Sequence, residues 1–141
     1  MYLDSAYIAK CYLNEPDAPQ VRALVVGQQG LTSSAWCIAE VACVFQRHVR
    51  EGALSRTQAN RLRKLWLSDM GAGVWTLVPV TQSLLDDVRE GVARLRRDVY
   101  LRAGDALHLV TAREAGFREV WTNDRHLLGA APHFGLVGRS V

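Results

Sequence analysis

Four acidic residues lie where the sequence predicts the end of a strand or the start of a helix. Asp4 ends a short apolar run, Asp124 follows another, and Glu40 and Asp105 lie in helices that each follow a loop. Carboxylates that come together repel, so without a cation one of them has a raised pKa. Mg²⁺ or Mn²⁺ prefers oxygen ligands and offsets this repulsion. The pattern therefore predicts a divalent-cation site.

Each acid also has a purely structural explanation, and the sequence leaves these open. Asp4 and Asp124 could each cap the start of a helix. Asp105 could be a first-turn residue that the helix dipole favours, and Glu40 could pair with an arginine. The segment 34–45 around Glu40 is apolar on nearly all sides, which predicts a largely buried helix. A shared site remains the better explanation, because the predicted fold brings all four acids to one edge.

Other familiar catalytic motifs are missing from the sequence. It contains no Gly-x-x-x-x-Gly-Lys-Ser/Thr phosphate loop, no Gly-x-Ser-x-Gly elbow and no His-Glu-x-x-His zinc motif. No Asp-x-Asp follows a predicted strand, which argues against a small phosphatase with an aspartate nucleophile. Any chemistry must therefore rest on the carboxylates.

Predicted strands and helices alternate along the whole chain. The predicted strands cover residues 2–3, 31–32, 75–80, 119–122 and 136–137. The predicted helices cover 5–13, 18–26, a segment that Ser33 or Ser34 caps and that ends near Glu51, 55–70, 82–95, 105–115 and 125–131, with a loop at 102–104. Such alternation predicts an α/β fold with a parallel sheet between two layers of helices. In such sheets, sites form beyond the carboxyl ends of the strands.

Composition predicts one globular domain over residues 1–141. Hydrophobic residues make up 49% of the chain, and the sequence shows no internal repeat or linker. The formal net charge of +3 permits an anionic partner such as nucleic acid.

Compartment signals point to the cytoplasm. Asp4 and Lys10 interrupt any signal-peptide-like run, and no apolar stretch reaches membrane-spanning length. Cys11, Cys37 and Cys43 form no Cys-x-x-Cys pair, so we expect reduced, mostly buried thiols.

Four segments carry a resemblance to a known family. "YLDSA", "TSSAWCIAEV", "LRAGDALHLVTAREAG" and "VWTNDRHLLGAAPHFGL" resemble, in order and spacing, the PIN-domain ribonucleases and most closely the VapC-type toxins of bacterial toxin–antitoxin pairs. The resemblance covers essentially the whole chain, and the segment with Asp105 is the most specific. It implies a three-layer α/β/α sandwich and a divalent-metal endoribonuclease. It also implies a homodimer that a partner antitoxin holds inactive.

The resemblance assigns roles to individual residues. The catalytic and metal-binding acids would be Asp4, Glu40, Asp105 and Asp124, with Mg²⁺ or Mn²⁺ as the cofactor. The supporting residues would be Ser5, a hydroxyl after the first acid, Thr122, two residues before the last acid, and Asn123, an extra polar ligand.

Arginines near the acids are candidates for contact with RNA phosphates. They are Arg47, Arg102 and Arg125, each of which could equally be a solvated surface residue. His108 fits a packed, hydrogen-bonded histidine better than a catalytic one.

The alternative function is a non-catalytic RNA- or protein-binding module on the same fold. The complete acid set favours the enzyme, because a negative cluster facing phosphate opposes simple RNA binding.

Overall fold

The computed structural model describes residues 1–141, and its centre is a parallel sheet. Strand β1 (Leu31–Ser34) pairs with β2 (Trp75–Val78), and β3 (Glu119–Trp121) pairs with β4 (Val137–Arg139). The N-terminal segment joins the two pairs, since Tyr2 bridges to Thr32 and Leu3 bridges to Trp121, both in parallel. The order across the sheet is therefore β2, β1, the N-terminal segment, β3 and β4.

Seven helices connect and cover these strands. They are α1 (Ser5–Tyr12), α2 (Ala18–Val25), α3 (Cys37–Arg50), α4 (Arg56–Gly71), α5 (Gln82–Ala93), α6 (Ala103–Glu114) and α7 (Arg125–Ala130), followed by a 3₁₀ turn (Ala131–Phe134). Every predicted helix is present, and most ends agree to within two residues. The predicted cap of α4 is correct, because Ser55 and Gln58 form a capping box.

Two predicted boundaries are wrong for identifiable reasons. Helix α3 does not begin after a serine cap, because Ser33 and Ser34 are the last residues of β1 and the Ser33 hydroxyl donates to the Leu3 carbonyl at 2.7 Å. Residues 103 and 104 are not loop, because α6 already begins at Ala103 while Arg102 keeps an extended backbone.

The N-terminal segment shows why the fold has three layers. Neighbouring side chains on a strand point to opposite faces of the sheet. Tyr2 belongs to a buried cluster with residues of α5, α6 and α7, whereas Leu3 belongs to a second cluster with residues of α1, α2, α3 and α4. Both side chains are fully buried. The predicted α/β/α sandwich with a parallel sheet is confirmed.

Helix α3 is less buried than the sequence predicts. Only Cys37, Val41 and Phe45 are buried, one stripe at a spacing of four residues, while Ile38 is 47% exposed. The expectation of mostly buried thiols also fails at Cys43, which is exposed on this helix. None of the helices combines the length and apolar character that crossing a membrane requires.

Candidate active site

A cavity of about 490 Å³ is lined by all four predicted acids. Four separate elements supply them: Asp4 caps α1, Glu40 lies in α3, Asp105 lies in the first turn of α6, and Asp124 caps α7. Other lining residues include Ser5, Glu15, Trp36, Arg47, Arg102, Gly104 and His108. Residues far apart in sequence thus meet in one cavity.

Asp4 is the most enclosed of the acids, with 5% of its surface exposed. One of its oxygens accepts from the Tyr7 backbone N–H at 2.9 Å, which caps α1, and the other accepts from the Thr122 hydroxyl at 2.5 Å. Burial raises the pKa of Asp4, although the Thr122 hydrogen bond and nearby His108 act against the rise. The predicted structural role as a cap and the position in the cavity therefore coexist in one residue.

Glu40 is held by a buried hydrogen-bonded chain. Its Oε2 accepts from the Ser5 hydroxyl at 2.5 Å and lies 2.9 Å from His108 Nε2, while His108 Nδ1 lies 3.0 Å from the Tyr2 hydroxyl. Because a carboxylate only accepts, Nε2 donates to Glu40, and the hydrogen bond between Nδ1 and the Tyr2 hydroxyl completes the chain. Burial raises the pKa of Glu40, but the hydrogen bonds from His108 and Ser5 outweigh it, so the net shift is downward.

Arg102 pairs with the other two acids. Its Nε donates to Asp105 Oδ2 at 3.0 Å, and its Nη2 donates to Asp124 Oδ2. Asp124 Oδ1 also accepts the first backbone N–H groups of α7, from His126 at 2.7 Å and Leu127 at 3.3 Å. Burial opposes ionisation of Asp124, but these N–H groups and Arg102 lower its pKa overall.

Of the three predicted supporting residues, Ser5 and Thr122 contact acids of the cavity, whereas Asn123 does not. Ser5 contacts Glu40 in the cavity, and Thr122 bridges two acids, since its hydroxyl donates to Asp4 and accepts from the Asp124 backbone N–H at 2.9 Å. Asn123, predicted as an extra polar ligand, does not line the cavity. Its side-chain oxygen accepts from the Tyr7 hydroxyl at 2.6 Å and its nitrogen donates to Asp17, so both ends are used outside the cavity.

Two of the three candidate arginines line the cavity. Arg47 lines the cavity, half-exposed, with its nearest carboxylate, that of Glu15, at 3.7 Å. Arg102 lines it too, but its guanidinium contacts acids. Arg125 does not line the cavity, and its Nε lies 3.4 Å from the ring of His126.

Comparison with known proteins identifies the family to which this chain belongs. Residues 1–131 match the family model described as PIN domain. The chain belongs to the PIN domain family. The resemblance seen in the sequence is thereby confirmed at the level of the family and its fold. No curated protein matches this PIN domain at the sequence level.

Two solved structures share the fold of this PIN domain at low sequence identity. The first is the Mycobacterium tuberculosis VapC20 toxin, described as cleaving the sarcin–ricin loop. It is 17% identical over 92% of this chain and 93% of that one, with a TM-score of 0.68. The second is FitAB bound to an IR36 DNA fragment. It is 16% identical over 99% of this chain and 93% of that one, with a TM-score of 0.69.

The donor chemistry of this PIN domain's cavity fits a hard divalent cation, because its acids offer only oxygen. The present spacing does not yet enclose an ion, since no three acidic, histidine or cysteine side chains converge on one point. Hydrogen bonds and ion pairs explain the separation. Glu40 is drawn toward Ser5 and His108, and Arg102 lies between Asp105 and Asp124. The Arg102 guanidinium thus occupies the space between these two acids.

Sequence reasoning missed two contributors to the site. Glu15 lines the cavity from the segment between α1 and α2, where no local pattern distinguishes it from a surface acid. Gly104 lets Glu40 and Trp36 approach α6, because a Cβ at this position would lie 2.6 Å from Glu40 Oε1 and 3.3 Å from Trp36 Nε1. The available signal was a glycine in the predicted loop, immediately before the helix predicted to begin at Asp105.

Proposed function

We propose that this PIN domain is a divalent-metal-dependent endoribonuclease and the toxin of a type II toxin–antitoxin pair. The observation that carries the proposal is the single cavity lined by Asp4, Glu40, Asp105 and Asp124 in a chain of the PIN family. The toxin character has weaker support, from a shared fold with VapC20. Cytoplasmic RNA would be the substrate.

The four acids would hold Mg²⁺ or Mn²⁺ at the carboxyl ends of the strands. When bound, the cation would lower the pKa of a water and offset charge on the phosphorus oxygens. The chain's own residues would prepare the site for this. Thr122 and the Tyr7 N–H fix both oxygens of Asp4, and Ser5 and His108 fix Glu40. These contacts orient the carboxylates before any ligand arrives.

Arg47 would attract the RNA backbone at the mouth of the cavity. Its side chain is half-exposed, and its nearest acidic partner is 3.7 Å away, beyond normal hydrogen-bond distance. Arg125 remains a candidate for a more distant phosphate contact.

We also propose an antitoxin partner and a homodimer. Support for a protein partner comes from large apolar side chains left exposed on or beside two helices, namely Trp36, Ile38, Leu65 and Leu67.

The direct test is cleavage of total cellular RNA by the purified protein. We expect cleavage with Mg²⁺ or Mn²⁺ and none after EDTA treatment, with activity restored when the metal is returned in excess. Equal cleavage with EDTA would contradict the metal mechanism. Complete inactivity with measurable RNA binding would favour the alternative, a non-catalytic RNA-binding module.

The toxin role has its own test. Expression of the chain in a bacterium should slow growth, whereas the Asp4→Asn variant at equal expression should not. Normal growth alongside confirmed RNA cleavage would remove the toxin role and leave the nuclease.

Light scattering on the purified protein tests the homodimer, for which we expect about twice the monomer mass of 15.7 kDa.

A further inference from the structure

Arg102 bridges two of the acids that the proposed cation would need. Its Nε lies 3.0 Å from Asp105 Oδ2, and its Nη2 donates to Asp124 Oδ2. A guanidinium has a planar fork of donors and can contact two carboxylates at once. The positive charge of Arg102 thus already lies between two carboxylates that would otherwise repel each other.

The surroundings of Arg102 allow it to leave this position. The residue has an extended backbone immediately before α6, and 53% of its side chain is exposed. The side chains of Asp105 and Asp124 are less exposed, at 15% and 25%. Asp105 belongs to the first turn of α6, and the backbone N–H groups of α7 hold Asp124. A long, exposed side chain can therefore move while the two acids stay in place.

We infer that Arg102 is an internal counter-cation that neutralises Asp105 and Asp124 in the metal-free protein and is displaced when a divalent cation binds. The inference rests on the proposed function, since it concerns the same site. Two consequences follow. Arg102 competes with the cation, so it lowers the apparent metal affinity. Once displaced, its guanidinium remains at the cavity mouth, where it can bind an RNA phosphate.

The first test follows the Arg102 side chain by NMR during a Mg²⁺ titration. The Arg102 Nε–H signal is assigned by its loss in Arg102→Gln. We expect it to move toward the position of an unpaired arginine as Mg²⁺ saturates. Arg139 is the internal control, because its Nε pairs with Glu119 at 3.0 Å on strands away from the cavity. A signal from Arg102 that stays as constant as that of Arg139 while Mg²⁺ binds would overturn the inference.

The second test compares Mn²⁺ affinity in two variants by calorimetry. Arg102→Gln and Arg47→Gln each remove one positive charge from the same cavity, but only the first removes the bridge. We expect Arg102→Gln to tighten Mn²⁺ binding about threefold to tenfold, because two partly exposed ion pairs no longer compete. Arg47→Gln should change affinity by no more than about twofold.

The outcomes separate this inference from the proposed function. If the wild type binds Mn²⁺ and cleaves RNA while Arg102→Gln binds no more tightly than Arg47→Gln, the counter-cation role is wrong and the nuclease stands. Weaker binding by Arg102→Gln would make Arg102 an organiser of the acids, which also overturns the inference. If the wild type binds no Mn²⁺, both fail together. Circular dichroism and thermal melts confirm that each variant is folded.

Discussion

Two pairs of acids line the same cavity, but different kinds of group hold them. Asp4 and Glu40 are fixed mainly by donors that stay in place: a backbone N–H, two hydroxyls and the buried His108. Asp105 and Asp124 instead share the exposed side chain of Arg102, although the N–H groups of α7 also contact Asp124. The first pair is preorganised by the core, whereas the second is neutralised by a group that another cation can replace.

Asp4 and Asp124, one acid from each pair, also differ in their ionisation. The sequence predicts that crowding raises the pKa of one acid, and Asp4 does have a raised pKa. The main cause is burial, and repulsion from Glu40 is a minor contribution. Asp124, next to Arg102 and the N-terminus of α7, has a lowered pKa. Position relative to the core and to a cation therefore matters more than crowding.

The largest effect is expected when Asp4, one acid of the fixed pair Asp4 and Glu40, loses its charge. Asp4→Asn should reduce RNA cleavage at least about 100-fold, because the cavity loses its most enclosed carboxylate. Folding should be preserved, since asparagine caps helices as well as aspartate does. Cleavage rate with Mn²⁺ is the measurement. Asp98→Asn is the control, because Asp98 is an exposed acid paired with Arg96. Comparable activity of the two variants would contradict the assignment of Asp4.

Removing the buried histidine tests whether the fixed pair depends on the core. His108→Ala should lower the free energy of unfolding by about 1–3 kcal/mol, because the fully buried Tyr2 hydroxyl loses its partner on Nδ1. Urea denaturation measures the loss. His133→Ala removes an exposed histidine and should change stability little. Equal stability of both variants would show that the chain from Tyr2 to Glu40 does not hold the site.

A methyl group at Gly104 should shift Glu40 without unfolding the protein. The Cβ of Gly104→Ala would come within 2.6 Å of Glu40 Oε1, the mobile end of that side chain. We expect about tenfold slower RNA cleavage with stability changed by less than about 1 kcal/mol. Gly129→Ala is matched, because it adds the same group to helix α7 where no atom lies within 4 Å. Unchanged cleavage in Gly104→Ala would mean that the position of Glu40 is not critical.

The smallest effects should be shifts in melting temperature, which should have opposite signs for substitutions at Asp4 and at Asp124. In EDTA, the raised pKa of Asp4 means that the wild type loses stability as pH rises from the ordinary carboxyl range through that pKa. Asp4→Asn escapes this loss, so its melting temperature should exceed the wild-type value by about 2–5 °C at pH 7 but not at pH 4.

Asp124→Asn should behave in the opposite way. The lowered pKa of Asp124 gives stability that is present above the ordinary carboxyl pKa and is lost as pH falls through the lowered value. The variant should therefore melt about 2–5 °C below wild type at pH 7, with the gap closing in acid. Thermal melts from pH 3 to 7.5 give both curves. Shifts of the same sign for the two variants would mean that the contrast between Asp4 and Asp124 is wrong.

The sequence by itself determined the order of elements and the identity of the acids. Hydrophobic spacing and caps such as Ser55 are local features, so they predicted the seven helices and most of their ends. Alternation of strands and helices was enough to predict a parallel sheet with acids at its carboxyl edge.

The tertiary structure decided how those acids are held. Asn123 points away from the cavity because Tyr7 and Asp17, more than 100 residues earlier, engage its side chain. The link from His108 to Tyr2 joins residues 106 apart, and the bridge from Arg102 to Asp124 spans 22. Side-chain direction and partner choice depend on which elements pack together, and local spacing carries no information about contacts of that range.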